Sequence, residues 1–194
     1  MSLEIRALQR ACVNHLGLPL RVDGDAGPET RWALAAALLP IERQLAIRRA
    51  QRHLGLVEAS PNVDREGIIA SYLLECGVKV PSAWCAAALS CWLAVPGIRI
   101  AGAQALGRAF PAVKDPVAGD VFWYPTGEWE GHCGLVTGVG ALDVMTIEGN
   151  SDNGQRCWRR LKAGLNFSRP FPLGNDPGPE TILRVPLKAR GLTR

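Results

Sequence analysis

Residues 81–93 read PSAWCAAALSCWL and run into the breaker pair Pro96-Gly97. Ser82 is a good N-cap, which predicts a first helical turn over Ala83, Trp84 and Cys85 followed by residues that are almost all apolar. A helix with no polar face is buried on nearly every side, so the remaining elements are expected to pack around it. Cys85 then sits where unpaired backbone N–H groups and the positive end of the helix dipole favour a thiolate. Two readings stand side by side at this point: a nucleophile, or one more small core residue in an Ala-rich helix.

Upstream, residues 41–57 form a basic amphipathic pattern with Ile41, Leu45, Ile47 and Leu54 at apolar positions, and the loop EASPNVD leads to a helix over about 65–76 closed by Gly77. Downstream, GAQALGRAF (102–110) reads as a short helix before a Pro-rich loop through Asp115-Pro116. From Asp120 the apolar period shortens. VFWY (121–124), HCGLVTGV (132–139), VMTIEGN (144–150), QRCWRR (155–160) and ILRV (182–185) read as strands, separated by PTGEWEG, GALD, SDNG and a Gly/Pro-rich stretch at 164–180. Helices followed by an antiparallel sheet predict an α+β fold rather than alternating βαβ units.

The first forty residues form a unit of their own. Leu3, Ile5, Leu8, Cys12 and Leu16 keep helical spacing up to Gly17. The loop LPLRVDGDAGPET carries turn signals at Asp23-Gly24 and Gly27-Pro28, and Pro28 opens a second helix through Ala33 and Leu34 to about Leu39. Pro40 marks a boundary, giving a small helical module over 1–40 and a larger domain over 41–194.

Composition bounds the rest. The chain has 194 residues, 47% hydrophobic and 21% charged, enough to bury a real core, and no apolar run approaches the ~20 residues needed to span a bilayer. MSLEIRALQR has no apolar run after its charges, which predicts synthesis in the cytoplasm without a secretory signal. Six cysteines in a reducing compartment are expected as free thiols. Cys12 and His15 have a spacing that suits a metal, but no second pair completes a site, so neither metal nor cofactor is expected. The net charge of +4, with arginines at 43, 48, 49 and 52 and at 156, 159 and 160, reads as a solvated face. A nucleic-acid partner is not expected, and the chain is read as a monomer.

A thiolate nucleophile needs a proton shuttle, and three histidines make the search short. His15 lies in the first module and His53 on the basic helix. His132 opens a strand, with small Gly134 leaving one side uncrowded. If 132–139 and 144–150 form a hairpin centred near Gly140, Glu148 stands level with His132, with Thr146, Glu148 and Asn150 on one face and Met145 and Ile147 on the other. A carboxylate holding one imidazole nitrogen, with an amide nearby, is what such chemistry requires.

Two resemblances follow from these motifs. LQRACVNHLGL with VDGDAGPETRWAL resembles a small helical peptidoglycan-binding module with an LQ helix and a DGxxGPxT loop, over about residues 3–38; the alternative is a helical hairpin that only packs on the next domain. AWCAAALSCWL, PVAGDVFWY, GHCGLVTG and TIEGNSDNG resemble the CHAP family of cysteine amidohydrolases and peptidases, which have a papain-like fold, over about residues 44–160. That resemblance implies Cys85 as nucleophile, His132 as general base and acid, Glu148 as orienting residue and Asn150 as fourth polar member. Cys133 stands where the family more often has an apolar β-former. Asp23, Asp25, Trp84 and Trp123 are the expected substrate contacts. Together the two imply hydrolysis of a bacterial peptidoglycan amide by a muramoyl-L-alanine amidase or a stem-peptide endopeptidase. The chain would be a phage-type endolysin or an effector acting on the cell wall after release, delivered by a membrane-permeabilising partner or a secretion system. A non-catalytic cell-wall-binding protein is the alternative.

Overall fold

The computed structural model describes residues 2–14 and 17–173, and the chain runs α1 (Ser2–Ala11), α2 (Pro28–Ala37), α3 (Ile41–Arg52), α4 (Ile68–Glu75), α5 (Cys85–Leu93), α6 (Ala103–Arg108), β1 (Val121–Pro125), β2 (Gly131–Val139), β3 (Asp143–Glu148), β4 (Arg156–Leu161) and β5 (Asn166–Ser168). Every helix precedes every strand, and the strands form one antiparallel sheet in the order β4-β3-β2-β1-β5. The fold is α+β. The strand expected at 182–185 lies outside the described residues. β5 falls inside the stretch read as loop; at three residues it is too short for alternation to register, and it is held by pairing Phe167 with Phe122. Among the described residues no helix is long and apolar enough to cross a membrane.

Helix α5 is the hub. Every residue of it except Cys91 is buried, and it packs on α3, α4 and β2 among Ala46, Ala50, Ile69, Leu73, Leu135 and Ile147. The alanines at 86–88 let it lie close to its neighbours. Its start differs from the expected one: Ser82 donates its hydroxyl to the Lys79 carbonyl at 2.7 Å instead of capping, Trp84 occupies the N-cap position, and Cys85 is the first helical residue. Trp84 fixes that start. Its indole N–H donates to Glu58 Oε1 at 2.9 Å, and its ring stacks on Tyr72 at 6.3 Å. The ring also presses on Gly149, where a Cβ would come within 2.6 Å of it. Truncating so large a buried ring costs about 3–5 kcal/mol.

The hairpin of β2 and β3 departs from simple register. Gly138 faces Met145 and Val139 faces Val144 near the turn, whereas Val136 faces Thr146 and Leu135 faces Ile147, so Thr137 is an extra residue bulged out of the ladder. Without the bulge, Glu148 would stand opposite Leu135, on the face that packs against α5. With it, the register continues to place Glu148 opposite Gly134, on the same face as His132 but not level with it.

Helix α2 packs on β2, and the segment after α1 is tied to α3 by Gln51 Nε2, which donates to the Asn14 carbonyl at 3.3 Å. α1 ends at Ala11 rather than running to residue 16; Val13 instead bridges to Pro19. Arg43, read above as part of a solvated basic face, is wholly buried. Its guanidinium meets Asp120 at 2.8 Å and the Ala118 carbonyl at 3.0 Å, and Asp120 also holds Arg169 at 3.0 Å, which ties α3 to the start of β1 and the segment after β5.

Candidate active site

The start of α5 and the start of β2 meet at Cys85. As the first residue of a nine-residue helix, Cys85 lies where N–H groups lack intrahelical acceptors and the dipole is positive. Its thiol is within hydrogen-bonding reach of the Cys133 and His132 side chains. The hydrogen bond from Cys133 holds the Cys85 thiol well below its usual range against the opposing effect of burial, and His132 adds a second hydrogen bond and a positive charge.

On its other side the His132 ring is held by Glu148, with Nε2 to Oε2 at 2.7 Å, which leaves Nδ1 as the nitrogen for the thiol. Burial alone would lower the histidine, but the contacts with Cys85 and Glu148 outweigh it and raise its pKa to about 9. The ring also lies among Tyr124 at 5.8 Å and Phe122 at 6.2 Å. Gly134 makes the reach possible, because a Cβ there would meet the Glu148 side chain at 2.8 Å. The glutamate is fully buried. Burial would raise its carboxyl, yet hydrogen bonds from Arg160, His132 and Thr146 hold it below the usual carboxylate value.

Arg160 is the member that the reading of the chain missed. From edge strand β4 its Nε meets Glu148 Oε1 at 2.5 Å and its Nη2 meets Oε2 at 2.6 Å, while Thr146 donates to Oε1 at 2.6 Å. The guanidinium lies over Phe122, Tyr124 and Trp158, with its carbon 5.6–6.0 Å from the ring centroids. Within an RRL tail it looked like solvated charge; the signal that could have found it is its parity, since Arg160 pairs with Val144 and so shares the face of Thr146 and Glu148. Asn150 is not drawn into this chain of contacts. It sits past the end of β3 at φ 53°, and among the described residues no hydrogen bond joins its amide to Cys85 or His132.

The expected substrate contacts fare differently. Trp84 is fully buried and presents no surface to a ligand. Trp123 is wedged against Gly107 with its N–H on Ser168 at 3.1 Å and Arg108 over its ring at 5.3 Å, a packing role. Asp23 Oδ1 accepts from Gln9 and from the Asp25 N–H, both at 2.9 Å; the Asp25 and Thr30 acceptors take the same buried Gln9 amide, and the Gly24 N–H donates back to Gln9 Oε1. The DGDAGPET loop is therefore buckled onto Gln9 through Asp23, the Asp25 backbone and Thr30, while the Asp23, Asp25 and Glu29 side chains stay exposed around a hollow of about 200 Å³. Trp129 is 79% exposed on the loop before β2, which Gln104 Nε2 pins by the carbonyls of Gly127, Glu128 and Glu130 at 2.7–3.2 Å.

The remaining thiols contrast with Cys85. Burial pushes Cys91, six residues along the same helix, up to about 12 and Cys157 up to about 11. Cys133 is driven well upward by its hydrogen bond to Cys85 and by burial, so it remains a thiol and donates. His53 sits at the end of α3 edge-on to Tyr72 at 6.4 Å, lowered by burial and away from Cys85. Among the described residues no three metal-ligating side chains converge. Comparison with family models, with characterised proteins and with solved structures finds no match.

Proposed function

We propose that the chain is a cysteine amidohydrolase of the CHAP type, with a papain-like arrangement, that cleaves an amide of bacterial peptidoglycan. The observation that carries the reading is the convergence of Cys85, His132, Glu148 and Arg160, in which a lowered thiol at a helix start neighbours an imidazole whose far nitrogen is held by a carboxylate at 2.7 Å. The Cys85 thiolate attacks the amide carbonyl carbon and forms a tetrahedral oxyanion, which backbone N–H groups at the start of α5 stabilise. The His132 imidazolium gives its proton to the leaving amine as the C–N bond breaks, leaving a thioester on Cys85. Neutral His132 then takes a proton from water, the hydroxide displaces the thiolate, and a carboxylic acid is released. Glu148 orients the ring throughout, and Arg160 keeps Glu148 ionised.

The peptidoglycan substrate rests on the resemblance of both halves of the chain to cell-wall proteins. Mass spectrometry of purified cell wall after digestion tests it. New N-acetylmuramic acid ends and free L-alanine amino groups identify an amidase, and new termini within the stem identify an endopeptidase. A wall left intact by wild-type protein whose Cys85 alkylates readily rejects the substrate and keeps the nucleophile.

A further inference from the structure

Away from Cys85, a partly open crevice of about 480 Å³ separates the N-terminal helices from α3, and none of its lining residues belongs to the chain described above. That size is within the range of small-ligand sites. Ala33 and Ile47 form apolar walls, Cys12 lies at one side, and the bulged Thr137 of β2 also lines it. Among the described residues its charged lining is Arg48 and Arg52, with no acidic side chain. The two arginines are four apart on α3, so their Cβ atoms lie about 5–6 Å apart on one helix face. Among the described residues neither guanidinium has an ion-pair or hydrogen-bond partner.

We propose that this crevice binds a short peptide bearing free carboxylates, which on the peptidoglycan reading above is the stem peptide of the cell wall. Arginine forks suit carboxylates, and the apolar walls suit the alanine side chains and methylene groups of such a stem. A polyphosphate backbone, by contrast, needs a longer basic track than two residues inside a partly closed crevice. The hollow at the Asp23 loop is instead lined by Asp23, Asp25 and Glu29 with Arg21, an acidic excess that disfavours a carboxylate ligand. The site is thus shared between the first two helices and α3, and neither half of the chain forms it alone.

Full-length Cys85→Ala protein titrated with a soluble stem tetrapeptide tests the assignment. The free-acid peptide should bind and its amidated form should bind about tenfold more weakly or worse, and Arg48→Gln with Arg52→Gln should lose the preference. Without any arginine change, the free-acid peptide should slow iodoacetamide labelling of Cys12, read by peptide mapping, which keeps the test valid if the double variant unfolds. Absent binding, equal affinity for both peptide forms, unprotected Cys12, or protection by a short oligonucleotide and not by the peptide would overturn the site. Cell-wall hydrolysis by the wild type, measured in parallel, separates the two readings. Hydrolysis without peptide binding sinks the crevice alone, whereas peptide binding without hydrolysis sinks cell-wall cleavage and leaves the crevice.

Discussion

Two polar clusters in this molecule, one around buried Gln9 and one around buried Glu148, have opposite chemistry. At Gln9 an uncharged amide ties together the Asp23 carboxylate, the Asp25 backbone and the Thr30 hydroxyl, and the exposed acidic side chains beside it have no acid–base partner. Around Glu148 the same currency of hydrogen bonds is graded: Arg160 and Thr146 saturate the carboxylate, the carboxylate holds one side of His132, and the far end of the chain is a thiol held well below its usual range. A closed cluster stabilises; a chain anchored at one end leaves its other end reactive. The difference depends on how the charge is answered, because Arg160 brings a cation to a fully buried anion, while the Asp23 carboxylate at the Gln9 knot is exposed and is met by an uncharged amide and a backbone N–H.

The sharpest way to break this contrast is at the reactive end. Cys85→Ala should stay folded and lose cell-wall hydrolysis by about 10³-fold or more, measured as turbidity clearing; a folded and fully active variant would remove the assignment. The wild-type rate should also fall as pH rises past about 9, where the His132 imidazolium is lost.

At the anchored end, Arg160→Gln leaves Glu148 buried without its cation and should cost about 2–3 kcal/mol, less than a fully buried pair because Arg160 is 28% exposed. The pH dependence of unfolding gives the sign. Glu148 is lowered, so its stabilisation is present above the ordinary 4.5 and lost as pH falls through the lowered value; His132 is raised, so its contribution is complete below 6.5 and lost as pH rises through about 9. Arg160→Gln should move the acid limb upward, and an unmoved limb in urea titrations would show that Arg160 does not hold the carboxylate.

Cys133→Val keeps the volume and removes the S–H donor. A hydrogen bond to a charged group corresponds to about 1–2 pH units, so the midpoint for iodoacetamide labelling of Cys85 should rise by about that much. An unchanged midpoint would leave His132 and the helix start as sufficient causes. Cys91, held up near 12, should label far more slowly in either protein.

The smallest effects belong to the closed cluster. Gln9→Leu should loosen residues 22–30 by about 1–3 kcal/mol in hydrogen exchange while Cys85 keeps its labelling rate. Asp23→Asn retains the accepting oxygen and should change neither binding to cell wall nor activity. If it abolishes binding, the loop is a ligand site after all and the two clusters are not opposites.

Cys85, His132 and Glu148 were legible because each has a local signal: a helix start ahead of an apolar run, a strand start beside a glycine, and an acid two residues from an amide. Arg160 and Cys133 had none, since one looked like surface charge and the other like a core β-former. Trp84 was misread because a tryptophan next to a nucleophile looks like a contact until its own packing is known, and here it is fully buried with its N–H on Glu58.

The amino-acid order by itself determined the α+β layout, the buried helix and the reactive residue types, because apolar periodicity and helix-start chemistry act over a few neighbours. The order of residues put Glu148 on the face of His132, but only the tertiary structure decided how that comes about and that the two stand out of level. A one-residue bulge at Thr137 reverses the parity of the hairpin, and no local pattern in HCGLVTGV announces it. It likewise decided that Asn150 stands aside, that Arg160 completes the chain of contacts, and that the Asp23 loop turns inward. The contacts of Arg160 and Asp23 join partners 12 and 14 residues apart, and a side chain's role is set by which distant group it meets once the chain has folded.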